Sequence, residues 1–351
     1  MNTHTHAHSV LFVGSAPPRS ATAVFEAISE HVGGLCTTVP DGDQAGWLLA
    51  VMAHYAASPQ LEAVDQVLFH EGGAMRVPVF RLKSGVKPAE LRLGPYGYAA
   101  QAEKSYGEFK RLRKEGKFPA DTRFQVTLPS PMVSIMFLLH PPEDVLPAAE
   151  AAFKGEIDAL LRTVPAEDLL ISWDVCEPVS EEVQRRPCEA SPLFKRLMPY
   201  LPSMTLSLDS VARAAAMVPA ACGLGMHLCY GSSEDKHAIE PIDAQLLVDF
   251  MNGISARVTR SIDWMHFPVP IERDDAAYFA PLKGLKIHPE TELYLGLVHM
   301  EDGTAGATRR IQAAKDVLGK FGVASECGLS STTLENYPAT LDMHRKVAQL
   351  L

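Results

Sequence analysis

The stretch Gly223-Leu224-Gly225-Met226-His227-Leu228-Cys229-Tyr230-Gly231 is apolar almost to its end and then turns chemical. Its first six residues have the length and composition of a buried strand, and a glycine closes it. The same pattern recurs along the chain. Apolar runs at 10–13, 35–39, 123–128, 168–173, 261–266, 292–298 and 322–325 each end in polar or turn-forming residues. Amphipathic segments with helical spacing lie between them, among them 21–32, 144–164, 241–256, 305–321 and 334–350. Eight strands alternating with helices predict a parallel (β/α)8 TIM barrel, one domain spanning residues 1–351. One irregularity stands out. Residues 69–117, between the second and third strands, form an insertion with its own apolar run at 77–82. They also hold a Gly94-Pro95-Tyr96-Gly97-Tyr98 turn, and they predict a hairpin or lid at the barrel mouth.

The composition fits this reading. The chain has 351 residues, 47% apolar and 21% charged, enough to bury a large core without disulfides. Lys and Arg number 32 against 42 Asp and Glu, a net charge of −10 that argues against nucleic acid as partner. No apolar run is long enough to span a bilayer. The polar N-terminus lacks a signal core, so a cytoplasmic location is expected. Residues 1–8, with His4, His6 and His8, read as a disordered tail. In a reducing compartment the six cysteines are buried small residues, nucleophiles or metal ligands rather than a disulfide framework.

In a parallel barrel every strand opens its C-terminal end onto one face, where active sites lie. Those ends carry Ser15 and Arg19, Asp41 and Asp43, Asp174 and Glu177, His227 and Cys229, His266, His299 and Asp302, and Glu326 and Cys327. His227 and Cys229, two apart on a strand, point the same way and can share one Zn²⁺, with Cys327 as a second thiolate. A buried free Cys beside a hydrogen-bonded core His fits the same residues.

Taken together, these motifs resemble the cobalamin-independent methionine synthase superfamily, the zinc branch sharing its barrel with uroporphyrinogen decarboxylase. The resemblance runs from Val13 to Lys346. It rests on Val13-Gly14-Ser15, on Trp173-Asp174 with Glu177-Pro178, on His227-Leu228-Cys229-Tyr230-Gly231, and on Glu326-Cys327-Gly328-Leu329. The family equivalents are G-S-F-P, Q-x-D-E-P, H-x-C-Y and D-C-G-L. The resemblance implies zinc held by His227, Cys229 and Cys327. The family's fourth ligand, a Glu ending the sixth strand, is missing here. His266 stands nearest its place, and His299 is a second candidate.

The resemblance further implies Ser15 and Asp174 as substrate-binding residues, with Asp174 holding an ammonium group; Asp41, Trp173 and Glu177, at or beside strand ends, are further substrate-binding candidates. Asp174, His299 and Glu326 are the catalytic candidates. The implied reaction is methyl or alkyl transfer, the metal keeping a substrate thiol as thiolate for attack on an alkyl donor. Partners are thus small molecules, a thiol and an alkyl donor, with no membrane and no nucleic acid; a homo-oligomer is left open. The family's full-length enzymes carry two barrels and this length accommodates one, so a folate polyglutamate site is not carried over. Two other reactions fit such a barrel: zinc-dependent lyase or hydrolase chemistry, and metal-free decarboxylation of the uroporphyrinogen type.

Overall fold

The computed structural model describes residues 10–17, 20–42, 47–233 and 236–351. The tail 1–8, Arg19 and Asp43 lie outside the described residues. Eleven strands are present among the described residues. They are β1 (Thr38–Pro40), β2 (Leu61–Leu68), β3 (Arg76–Leu82), β4 (Arg123–Pro129), β5 (Leu169–Val175), β6 (Gly223–Leu228), β7 (Ser232–Ser233), β8 (Lys236–His237), β9 (Trp264–Pro268), β10 (Glu292–Gly296) and β11 (Gly322–Val323). Seven of them form one parallel sheet in the order β1-β4-β5-β6-β9-β10-β11. Helices follow the strands, including Pro142–Leu160, Gln245–Arg257, Gly303–Lys315 and Tyr337–Ala348.

The expected first strand, 10–13, is shorter than its apolar run predicts. Only Val10 makes bridges, but it makes two, to Cys36 beside β1 and to Val323 in β11, the two edges of the sheet. Leu11 N–H donates to Val323 O at 2.9 Å. Side chains do the rest: Gln125 Nε2 donates to Phe12 O at 3.0 Å and Thr127 Oγ1 to Val13 O at 2.8 Å. The curled sheet and its shared edge residue are compatible with a TIM-like barrel.

Strand parity separates two cores. Leu11, Val13, Leu170, Trp264, Tyr294 and Ala324 form a cluster of their own inside the curl. Most of the remaining apolar residues pack in a second, larger core that includes the helix layer. Gly225 makes the inner packing possible, since a Cβ there would sit 2.3 Å from the Trp264 indole. Above this floor the register sets Asp174 beside His227 and His227 beside His266, one row across β5, β6 and β9.

The region between β1 and β4 is more regular than its sequence implies. β2 and β3 pair antiparallel, so the hairpin begins at Leu61, ahead of residue 69. The helix Tyr98–Lys114 follows, its first turn held by the buried Glu156 carboxylate, which accepts N–H bonds from Tyr96, Gly97 and Ala99 at 2.6–2.9 Å. This helix packs against Ala21–His31 and Pro142–Leu160, as one of the layer around the sheet. The hairpin end reaches the strand ends, where a Cβ on Gly231 would lie 3.6 Å from the Phe69 ring.

Candidate metal centre

His227 and Cys229 leave β6 on the same side, and Cys327 follows β11. One donor atom from each lies within 4.8 Å of the others. The Cys229 and Cys327 sulfurs are 3.9 Å apart. Gly231 N–H donates to Cys229 Sγ at 3.3 Å, the kind of bond that favours a thiolate. As the protein stands these are thiols. Cys176 beside it and burial drive Cys229 well above the usual thiol range, and Cys229 and burial do the same to Cys327, against the pull of His227.

The fourth residue named from the sequence, His266, is not beside the sulfurs. It stands behind His227, and both of its ring nitrogens are engaged. Its Nε2 is 3.0 Å from Ser325 O, and a carbonyl only accepts, so Nε2 carries the hydrogen. Burial, with His227 close by, holds its pKa well below the ordinary histidine value, so the ring is neutral and its Nδ1 is bare. That Nδ1 lies 2.7 Å from His227 Nδ1, which must therefore be the donor. In the neutral His227 ring the network thus leaves the lone pair on Nε2. This Nε2 is buried, 3.9 Å from Asp174 Oδ1, and has no hydrogen-bond partner among the described residues. A buried acceptor without a partner costs about 1–3 kcal/mol. Its placement beside two sulfurs is what a metal ligand requires, and an inner hydrogen bond fixing the ring is the usual support for one. The donor set therefore fits zinc.

Glu326 precedes Cys327 and points into the site. Its Oε1 is 3.3 Å from His237 Nε2 and its Oε2 is 3.9 Å from His299 Nδ1. His237 also meets Glu240 Oε2 at 2.9 Å through Nδ1. Burial opposes a charge on His237, but hydrogen bonds to Glu240 and Glu326 outweigh it and lift the pKa to about 10. His299 goes the other way: burial lowers it, with Glu326 resisting. Its Nε2 is 2.9 Å from Val269 O and so carries the hydrogen.

The other sequence candidates divide. Asp174 is buried and accepts from Cys176 Sγ at 3.3 Å. Ser15 lies against the loop bearing Cys327, where its carbonyl accepts Leu329 N–H at 2.7 Å and a Cβ on Gly328 would be 2.4 Å from Ser15 Oγ. Asp41 is buried at the end of β1, its N–H donating to Gln125 O at 2.8 Å. Trp173 is one residue out of phase with Asp174, and its ring meets Phe153 edge-on at 5.7 Å in the outer core. Parity thus takes Trp173 away from the mouth. Glu177 is fully buried; burial pushes its carboxyl up to about 8, although Ser130 Oγ donates to it at 2.6 Å. It sits in the packing beneath the site. Asp302, also at a strand end, forms a two-pronged ion pair with the buried Arg310 at 2.8 Å.

Two residues gain importance from the structure alone. His237 lies outside every strand-end pattern; its only sequence signal is Glu240 three residues on. Cys176 reads as packing in sequence, yet Asp174, Cys176 and Cys229 form a second set of donors within 4.8 Å of one another.

No family model matches the chain, and no curated protein matches it in sequence. Solved structures do match in fold. A B12-independent methionine synthase from Shewanella sp. W3-18-1, in complex with selenomethionine, superimposes with a TM-score of 0.61 at 12% identity, covering 98% of this chain and 97% of the other. A Listeria monocytogenes protein assigned as a vitamin-B12 independent methionine synthase gives 0.52 at 14% identity, covering 94% and 86%. At such identities the likeness is one of fold.

Proposed function

We propose that this protein is a zinc-dependent methyl or alkyl transferase, cytoplasmic, acting on a small thiol and an alkyl donor. The observation that carries the reading is a His227 ring nitrogen within 4.8 Å of the Cys229 and Cys327 sulfurs, in a ring whose buried Nε2 has no hydrogen-bond partner among the described residues. The fold of the two methionine synthases supports it. We also read the seven-stranded sheet with residues 10–13 as a closed (β/α)8 barrel, and the β2–β3 hairpin as a lid.

His227, Cys229 and Cys327 would hold the metal. Zinc bound there supplies one thing, a lowered pKa for a substrate thiol, which then persists as thiolate near neutral pH. The chain's residues supply the rest. Asp174, on the same row as His227, offers a carboxylate to a substrate ammonium. Ser15 borders the loop that presents Cys327. Opposite, Glu326 lies between a cationic His237 and a neutral His299. As the new sulfur–carbon bond forms and the donor's bond to that carbon breaks, a proton passes to the leaving group from the cationic His237 by way of Glu326, with His299 lining the route. The hairpin, with Phe69 against Gly231, excludes water from the pair.

Metal analysis tests the reading. Protein purified without chelator should carry one equivalent of zinc. The Cys229→Ser/Cys327→Ser double variant should lose it, along with thiol alkylation, while keeping the circular dichroism of the parent. A parent chain without zinc overturns the proposal.

A further inference from the structure

We infer that Cys176 is the fourth protein ligand of this centre at rest, completing a set of three thiolates and one imidazole drawn from the ends of β5, β6 and β11, and that it is the ligand a substrate thiol displaces. The inference rests on the zinc reading above and adds to it a residue outside the three-residue set.

Four observations lead there. First, the missing ligand must come from somewhere, and both residues expected to supply it are spoken for. His266 uses one nitrogen on Ser325 and the other on His227. His299 gives Nε2 to Val269 and turns Nδ1 to Glu326. Second, Cys176 is already part of the cluster. It belongs with Cys229 and Val133 to a small buried core against which Cys327 and Met136 pack. Its Sγ is in a ligand-sized group with Cys229 Sγ and an Asp174 oxygen, and Cys229 Sγ is in another with Cys327 Sγ and a His227 ring nitrogen. Cys229 is therefore common to two donor groups, and Cys176 joins an ion held by the second when its Sγ turns from Asp174 toward the shared sulfur.

Third, the surroundings are soft. Cys176 and Cys229 are buried together, with Cys327 and Met136 packed against them, a setting that favours thiolate over carboxylate coordination. Asp174 is the competing donor, yet its Oδ1 already accepts the Cys176 hydrogen at 3.3 Å, which makes it the nearest base when that thiol gives up its proton. Fourth, the proposed ligand starts a helix. Cys176 is the residue before Glu177–Arg185, where positive N-terminal dipole stabilises negative charge. Three thiolates, an imidazole and one divalent ion carry a net charge of one negative unit, and this end of the helix is suited to it.

The sulfur count at the metal decides the matter. X-ray absorption at the zinc edge of the as-purified protein should show three sulfur and one nitrogen neighbours, falling to two sulfurs in Cys176→Ser. Cobalt substitution gives an independent reading: the sulfur-to-metal charge-transfer band should lose about a third of its intensity in Cys176→Ser. Chelator competition should show metal held about 10–100-fold more weakly, with circular dichroism unchanged. Should the variant not fold, the parent's count alone decides. Two sulfurs in a fully loaded parent overturn the assignment of Cys176 and leave the three-residue centre standing. Two equivalents of metal per chain also overturn it, since Cys176 then serves another ion. A parent that binds no zinc overturns both this inference and the function it rests on.

Discussion

On one flank of the strand ends, Cys176, Cys229 and Cys327 lie beside the buried His227, and burial favours the neutral form of each thiol. On the other flank, a few residues along the same loops, His237 is paired with Glu240 and Glu326, which hold its ring protonated. Both flanks contain imidazole, and what differs is what faces it. His227 faces sulfur and another imidazole, so its outer nitrogen is left bare. His237 faces two carboxylates, which overcome the cost of burial and hold it charged. The first arrangement presents donors to a cation, and the second already holds one, the proton on His237. A ligand site and a proton site are thus told apart by what faces the imidazole rather than by residue type.

The sharpest way to break this contrast is at His266, the ring that gives His227 its direction. His266→Phe keeps an aromatic ring, though a larger one, and removes both hydrogen bonds. Zinc affinity, measured by chelator competition, should fall about 10–100-fold, the usual cost of losing the group that orients a ligand. The urea midpoint should drop as well, because Ser325 O and His227 Nδ1 lose their partner. Unchanged affinity would mean that His227 needs no such support, and the tautomer assignment would fail with it.

A pair of glycines gives the next test. A Cβ on Gly296 would lie 2.8 Å from Ser325 O and from the Glu326 Cα, and 3.0 Å from His266 Nε2. Backbone cannot move aside as a side chain can, so Gly296→Ala should cost about 1–3 kcal/mol of stability and weaken metal binding. Gly225→Ala should cost a similar amount by displacing the Trp264 indole in the floor of the barrel, yet leave zinc affinity alone. Equal losses of zinc in both variants would show a globally softened barrel instead of a locally braced site.

Much of this was readable in advance, and the exceptions have causes. β6 at Gly223–Leu228 and the beginnings of β4 and β10 follow from apolar runs ended by turn residues. The same rule overextends 10–13, because Gln125 and Thr127 replace part of its backbone ladder with side-chain bonds. Strand-end counting brings His227, Cys229, Cys327, Asp174, Glu326 and His299 to one place. It misplaces Trp173, since a one-residue change of phase reverses the face of a strand, and the apolar run alone does not fix that phase. It passes over His237, which belongs to the two-residue strand β8, too short to have a period to read. It reads Cys176 as packing, because only three dimensions show how near Cys229 lies.

His237 offers the smallest effect and the cleanest sign. Its folded pKa, about 10, lies above the ordinary histidine value of 6.5, so the folded chain holds a proton that the unfolded chain releases between these limits. Stability from this group is therefore fully present below pH 6.5 and declines as the pH rises through 10. His237→Gln keeps a hydrogen-bonding side chain and removes the charge. Because the Glu240 side chain is 62% exposed, screening reduces the effect to about 1–2 kcal/mol near pH 6.5. Urea titrations at pH 6.5, 8 and 9.5 should show the gap between parent and variant narrowing at each step. A gap that stays constant would place no proton on His237, and the charged flank would then be no more ionised than the sulfur flank it is set against.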